Sequence, residues 1–250
     1  MKSKATRKRL DVLLVERGLA ESIQKAQGMI LAGEIRVEGV LADKSGMSVA
    51  ENLRIEVISR QGKYASRGGT KLEGALEDFS VDPAGRICLD VGASTGGFTD
   101  CLLQHSAAKV YAVDVNVEQM DWKLRGDARV VRIERNAREL KREDVGEEAG
   151  LVVADVSFIS VGKVLRPAAG VASAEADFLI LIKPQFELRR EDVGPGGIVA
   201  EKELHERAIA MVKQSAEIAG LECLGVKASR LTGAEGNQEY FLHARKKAQE

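Results

Sequence analysis

The chain has 250 residues, 30% of them charged and 44% apolar, with a net charge of −1. That is ordinary globular composition, long enough for one or two domains with a real core. No apolar run approaches the ~20 residues needed to span a bilayer, and the basic N-terminus is not followed by an apolar secretion signal. Cys88, Cys101 and Cys223 lack Cys-x-x-Cys spacing and read as small core residues of a reducing cytoplasm. Three dispersed histidines give no structural zinc site and no metal is expected. The charge is uneven: residues 1–71 carry 14 Lys/Arg against 8 Asp/Glu, and residues 72–250 carry 23 against 30. A basic front on an acidic body predicts that the front meets a polyanion. Two acid-free clusters stand out, Lys2, Lys4, Arg7, Lys8 and Arg9, then Arg60, Lys63, Arg67 and Lys71.

Leu10, Leu13, Leu14 and Arg17 fall at helical spacing within residues 9–17. Ile23, Ala26, Met29 and Ile30 do so within 21–32, and Gly18 and Gly33 are the expected stops. Short alternating strands follow at 35–37 and 54–58, with a turn at Glu38-Gly39. The run from Arg9-Leu-Asp-Val-Leu-Leu through Lys25-Ala-Gln-Gly-Met-Ile to Gly33-Glu-Ile-Arg-Val-Glu-Gly39 resembles the small RNA-binding domain of the ribosomal protein S4 type. The resemblance implies paired helices that present basic side chains to structured RNA. The alternative is a helical cap without a ligand.

Residues 59–65 read as a linker between a domain at 1–58 and a second at 66–250. A helix is expected from about Gly69-Thr70, burying Leu72, Ala75, Leu76 and Phe79 and placing Lys71 in its first turn, where a cation opposes the helix dipole. Strands are predicted at 87–91, 109–113, 130–133, 151–154 and 178–183, then a helix at 201–219 and strands near 222–231 and 238–244. Strand-helix alternation of this kind implies a doubly wound, mostly parallel α/β sheet, closed here by a late antiparallel pair. Ligands of such sheets lie beyond the carboxyl ends of the strands.

Asp90-Val-Gly-Ala-Ser-Thr-Gly-Gly-Phe98 directly follows the first of these strands. Its glycine spacing departs from the dinucleotide fingerprint, which disfavours a dinucleotide-dependent oxidoreductase. An acid just before a glycine-rich turn suits a ligand with positive charge and no phosphates, such as S-adenosylmethionine. Asp114 ends the second strand, placed for ribose hydroxyls or else as an N-cap. Asn136 follows the third and could meet the adenine; Asp155 ends the fourth and Lys183 the fifth. A partly desolvated lysine with a second cation nearby sheds its proton more readily and becomes a usable base; the alternative is a lysine that reaches solvent. The glycine-rich stretch 187–199 is either a lid over the substrate or a plain loop.

Together with Tyr64-Ala-Ser-Arg-Gly-Gly-Thr-Lys-Leu-Glu-Gly-Ala-Leu76, Ala154-Asp-Val-Ser-Phe-Ile-Ser160, Ile182-Lys-Pro-Gln-Phe-Glu187 and Asn237-Gln-Glu-Tyr-Phe241, these motifs resemble the FtsJ-type ribose methyltransferases and, over the full length, the haemolysin A (TlyA) family. The resemblance implies a Rossmann-like, seven-stranded class I methyltransferase domain behind the S4-type domain. It implies S-adenosylmethionine as cofactor and ribosomal RNA, in subunits or their precursors, as partner, with cytidine 2′-hydroxyls as targets. Its Lys-Asp-Lys-Glu tetrad maps onto Lys71, Asp155, Lys183 and Glu239. The expected cofactor contacts are Asp90, Gly92, Ala93, Ser94, Thr95, Gly96, Gly97, Phe98, Asp114, Val115, Asn136 and Asp155. The expected RNA contacts are Arg7, Lys8, Arg9, Lys25, Arg60, Lys63 and Arg67.

Three other readings fit the sequence less well. Amine methylation usually shows Asn/Asp-Pro-Pro-aromatic after the fourth strand, where this chain reads Asp155-Val-Ser-Phe, and no cysteine is placed for cytosine-carbon attack. A non-catalytic ribosome-assembly factor would bind RNA without transfer. Direct membrane lysis is not expected, because the chain has no pore-like segment.

Overall fold

The structure is a computed structural model that describes residues 7–31, 34–42, 44, 46–57, 63–233 and 235–247. The chain divides into two compact units at Gln61/Gly62.

The first unit opens with β1 (Arg7–Arg9), followed by α1 (Leu10–Glu16), α2 (Ile23–Leu31), β2 (Ile35–Val37), β3 (Val40–Leu41), β4 (Ser48–Ala50) and β5 (Ile55–Val57). Helical periodicity located both helices. It missed β1: the basic residues 7–9 pair antiparallel with β4 instead of starting the helix. β2 lies between β3 and β5. Leu10, Leu13, Leu14, Ala26, Ile30 and Ile35 form the core of this unit. The wholly buried Asp11 is tied to Arg9 and to Gln27, which donates from 2.9 Å. The Arg9 guanidinium holds that carboxyl well below the usual carboxylate range. Gly33, the expected stop of α2, and Ile58, the expected end of β5, lie outside the described residues, as do Lys2, Lys4 and Arg60.

The second unit runs α3 (Arg67–Phe79), β6 (Ile87–Val91), α4 (Gly97–Gln104), β7 (Lys109–Asp114), α5 (Trp122–Arg125), β8 (Val130–Glu134), β9 (Ala149–Ala154), α6 (Gly162–Val171), β10 (Ala172–Ile182), α7 (Pro184–Glu187), α8 (Lys202–Ile218), β11 (Leu221–Ala228) and β12 (Tyr240–Lys246). The seven strands form one sheet in the order β11-β12-β10-β9-β6-β7-β8. The pairs among β10, β9, β6, β7 and β8 are parallel, and β12 is antiparallel to both β10 and β11. Side chains of a strand alternate between faces, and both faces here are apolar. Val152, Phe178 and Ile180 pack with Val164 and Leu165 of α6 and Val212 and Ala216 of α8. Val153, Leu179 and Leu181 pack with Leu72 and Leu76 of α3 and Leu102 of α4. That double burial is why the central strands read as continuous apolar runs.

Three expectations are corrected. α3 starts at Arg67, where Ser66 caps it by accepting from the Gly68 amide at 3.3 Å. Lys71 is therefore in the second turn, beyond the reach of the dipole argument. β10 begins at Ala172, six residues earlier than periodicity indicated, with an irregular register between Ala172 and Asp177. Finally, Lys183 is not in the strand but is the residue before α7, and Pro184 opens that turn. A residue preceding proline is biased to extended backbone, and Lys183 has φ −111°, ψ 100°.

Candidate active site

The glycine-rich turn between β6 and α4 is pinned to its neighbour strand. The amides of Gly92 and Ala93 both donate to the Val113 carbonyl, at 2.9 and 3.1 Å, and Ser94 N donates to Asp114 Oδ2 at 2.9 Å. Asp155 N in turn donates to the Val91 carbonyl at 2.9 Å. Gly92 has φ +87°, and a Cβ there would stand 2.2 Å from the Asp155 carbonyl oxygen. Only glycine satisfies both the backbone and the contact. The turn and the end of β9 thus meet at the carboxyl edge of the sheet.

A cleft of about 380 Å³ opens there, lined by Gly92, Ser94, Val113, Asp114, Val115, Gln119, Arg135, Asn136, Ala137 and residues Asp155 to Ile159. That volume suits a nucleoside-sized ligand. Gly92, Ser94, Asp114, Val115, Asn136 and Asp155 of the expected cofactor set line it. Asp114 Oδ1 also accepts from Asn116 N at 3.0 Å and Gln119 Nε2 at 3.2 Å, so the carboxylate is aimed before any ligand arrives. Asn136 Oδ1 accepts from Arg138 N at 3.2 Å.

Asp90 lies beneath the turn, wholly buried. One oxygen accepts from Thr99 Oγ1 at 2.6 Å and the other has no protein partner. Burial, reinforced by the charges of Asp155 and Asp114, pushes its carboxyl up to about 7. An orphaned buried carboxyl and two further acids at strand ends form a site that favours a cation. S-adenosylmethionine, with its ammonium and sulfonium, fits this cleft.

The rest of the motif packs instead of lining the cleft. Ala93 is buried and Thr95 is exposed on the turn. A Cβ on Gly96 would collide with Leu124 at 2.3 Å, and one on Gly97 with Ser66 Oγ at 2.1 Å. Phe98 is in the core, stacked on Phe241 with ring centroids 6.1 Å apart.

Two lysine-carboxylate pairs stand at the same edge. Lys183 Nζ is 2.5 Å from Asp155 Oδ1, outside hydrogen-bond alignment, and donates to Ser157 Oγ at 2.9 Å. Lys71 is buried in an ion pair with Glu239, which is 2% exposed. β10 and β12 end their antiparallel register at Ile182↔Tyr240, so Lys183 and Glu239 leave the two strands side by side. Gly233 leaves room for the Glu239 carboxylate, since a Cβ there would stand 2.7 Å from Oε1.

Sequence reasoning did not foresee Ser157, nor Phe158. Phe158 is 89% exposed at the cleft, sits at φ +66° and packs on Phe186 at 5.4 Å. An exposed aromatic at positive φ is costly unless used, and the motif Asp155-Val-Ser-Phe carried that signal. The loop at 187–199 is tied down rather than free: Asn237, 1% exposed, accepts from Val199 N at 2.9 Å and donates to the Gly197 carbonyl at 2.7 Å.

The expected RNA contacts divide by how their charge is used. Lys8 pairs with Glu16 and Glu51, Arg9 with Asp11 and Lys63 with Glu73. Arg7 donates to the Ser48 carbonyl and Arg67 to the Thr232 carbonyl, neither with an ion pair among the described residues, and Lys25 is exposed. Among the described residues no cluster of His, Cys, Asp and Glu could hold a metal, and no helix is long and apolar enough to cross a membrane.

A strand order of this kind with an acid-lined cleft at the first glycine-rich turn defines a Rossmann-like methyltransferase. The chain belongs to the FtsJ-like methyltransferase family, whose sequence profile matches residues 64–246, and carries an S4 domain at residues 8–55. It is 48% identical over 243 residues to the 16S/23S rRNA (cytidine-2′-O)-methyltransferase TlyA of Mycobacterium tuberculosis, covering 96% of this chain and 91% of that one. It is 42% identical to Hemolysin A of Brachyspira hyodysenteriae, covering 94% of this chain and 98% of that one. A solved Streptococcus thermophilus structure, described provisionally as a hemolysin, matches with a TM-score of 0.75 and 37% identity, over 96% of this chain and 89% of that one.

Proposed function

We propose that this protein methylates the ribose 2′-hydroxyl of cytidine in ribosomal RNA, in ribosomal subunits of the cytoplasm, with Lys71, Asp155, Lys183 and Glu239 as its reacting and orienting groups. The observation that carries the reading is that Lys183, paired with the cleft residue Asp155, and Glu239, paired with Lys71, leave the neighbouring strands β10 and β12 side by side. Similarity to a relative named for cytidine 2′-O-methylation supports the choice of substrate.

A 2′-hydroxyl is a poor nucleophile until its proton leaves. Lys183, as the neutral amine oriented by Ser157, takes that proton and becomes the ammonium whose charge Asp155 balances. Lys71, itself fixed by Glu239, offsets the negative charge that develops on the oxygen. Bound S-adenosylmethionine would supply the methyl group from its sulfonium. Gly92, Asp114 and Asn136 would hold it, and the buried Asp90 would favour its positive charge. Much of the rate then comes from holding the nucleophile in line. Phe158, exposed beside the cleft, offers a face on which the target base stacks. The N-terminal domain, through Arg7 and Lys25, and Arg67 beyond it supply phosphate contacts.

The test is incubation of the purified chain with methyl-labelled S-adenosylmethionine and unmodified bacterial ribosomal subunits, followed by digestion to nucleosides and mass spectrometry. Label in 2′-O-methylcytidine is the expected result. Label on a base would remove the tetrad mechanism, and tight subunit binding without label would point to an assembly factor.

A further inference from the structure

The loop that carries Asp155, Ser157 and Phe158 is fastened at both of its ends to one short stretch of chain. At the start of that stretch, Lys183 contacts Asp155 and Ser157. At its end, four residues on, Glu187 accepts from Ser160 Oγ at 2.5 Å and from the Val161 amide at 2.8 Å. Glu187 is only 6% exposed, both of its oxygens are used, and it takes no part in the chemistry described above. Its partners lie where α6 begins, and Val161 brings no side-chain cap of its own. A carboxylate at that place satisfies an amide that the helix leaves unpaired. Between the two fastenings Phe158 is held at positive φ, against Phe186 from the same short stretch.

We infer that Glu187 is a positioning residue of this site: by clamping Ser160 and Val161 to the turn that begins at Lys183, it sets the 155–161 loop so that Asp155 and Ser157 meet the lysine. It touches neither substrate nor cofactor. The inference rests on the reading of the site as a methyltransferase centre. Burial pushes the Glu187 carboxyl up, so a neutral group of the same shape is well tolerated there. A glutamine keeps both bonds, its oxygen accepting from Val161 and its amide donating to Ser160.

The experiment compares the full-length wild-type chain with E187Q and E187A. Hydrogen exchange is followed across residues 155–161, S-adenosylmethionine affinity by calorimetry, and single-turnover methyl transfer to unmodified ribosomal subunits at saturating cofactor. E187A is expected to speed exchange in the loop and to slow transfer by roughly a hundredfold, the scale of a small misplacement of reacting groups. Calorimetry sets the cofactor concentration that saturates each variant, and E187Q should restore both exchange and rate. Transfer by E187A at the wild-type rate overturns the inference. So does an E187Q chain with a protected loop that is as slow as E187A, since the negative charge itself would then be needed. A wild-type chain that moves no methyl group to any subunit removes the functional reading, while the exchange arm still decides whether Glu187 clamps the loop.

Discussion

Gly69 of α3 and Gly97 of α4 touch backbone to backbone: a Cβ on Gly69 would stand 2.7 Å from the Gly97 carbonyl oxygen, and one on Gly97 3.0 Å from the Gly69 amide nitrogen. The contact binds the helix that carries Lys71 to the helix that follows the cofactor turn. Gly69→Ala forces the two apart, because Tyr64 also lies 2.3 Å from the added carbon. Overpacking of this kind costs about 1–3 kcal/mol. Urea denaturation should show a loss of that size, and an unchanged midpoint would count against so close a crossing.

Lys71 and Glu239 form a buried pair, so removing one partner strands the other's charge. Lys71→Ala and Glu239→Ala should each destabilise by about 3 kcal/mol or more. The double variant should lose much less than the sum of the two. Strict additivity in chemical denaturation would mean that the pair is not coupled.

Lys183 stands half-buried just beyond the end of β10, beside Asp155 and Ser157, so its loss should be felt first in the chemistry. Lys183→Ala should abolish methyl transfer yet bind S-adenosylmethionine within a few fold of wild type, read by calorimetry. Retained turnover would remove Lys183 from its role as proton acceptor.

Burial pushes the Asp90 carboxyl up to about 7 in the folded chain, from 3.8 when exposed. The folded state therefore holds a proton that the unfolded state has already lost, and stability falls as pH rises from about 4 to about 7. Asp90→Asn keeps the acceptor for Thr99 and removes the titration. Without cofactor, its stability relative to wild type should grow by a few kcal/mol between pH 4 and pH 8. A pH-independent difference between the two denaturation midpoints would show that Asp90 does not titrate in this window.

Much of the sheet was legible because both of its faces are covered, so runs such as Phe178–Ile182 are apolar throughout. β1 was hidden because Arg7–Arg9 is a three-residue run of charged side chains, leaving no apolar alternation to read. The start of β10 was hidden by its polar residues, Ser173 and Glu175, ahead of the apolar run. At the site, Asp114 and Asp155 could be placed because strand ends are marked by a change from apolar to polar. The work of Gly97 and Phe98 in packing could not, because a glycine that admits a ligand and one that admits a helix look alike in sequence. Glu187 was invisible for a similar reason: a buried carboxylate reads as a surface charge until its donors are known.

β12 follows every other strand of the sheet along the chain yet lies between β11 and β10. Glu239 precedes it by one residue, so the partner of Lys71 arrives only as the gap in the sheet is filled. A chain whose sheet is still open therefore lacks the Lys71–Glu239 pair. On the proposed reading, a half-folded chain would hold RNA through its S4 domain without marking it, and methyl transfer would appear together with the completed fold.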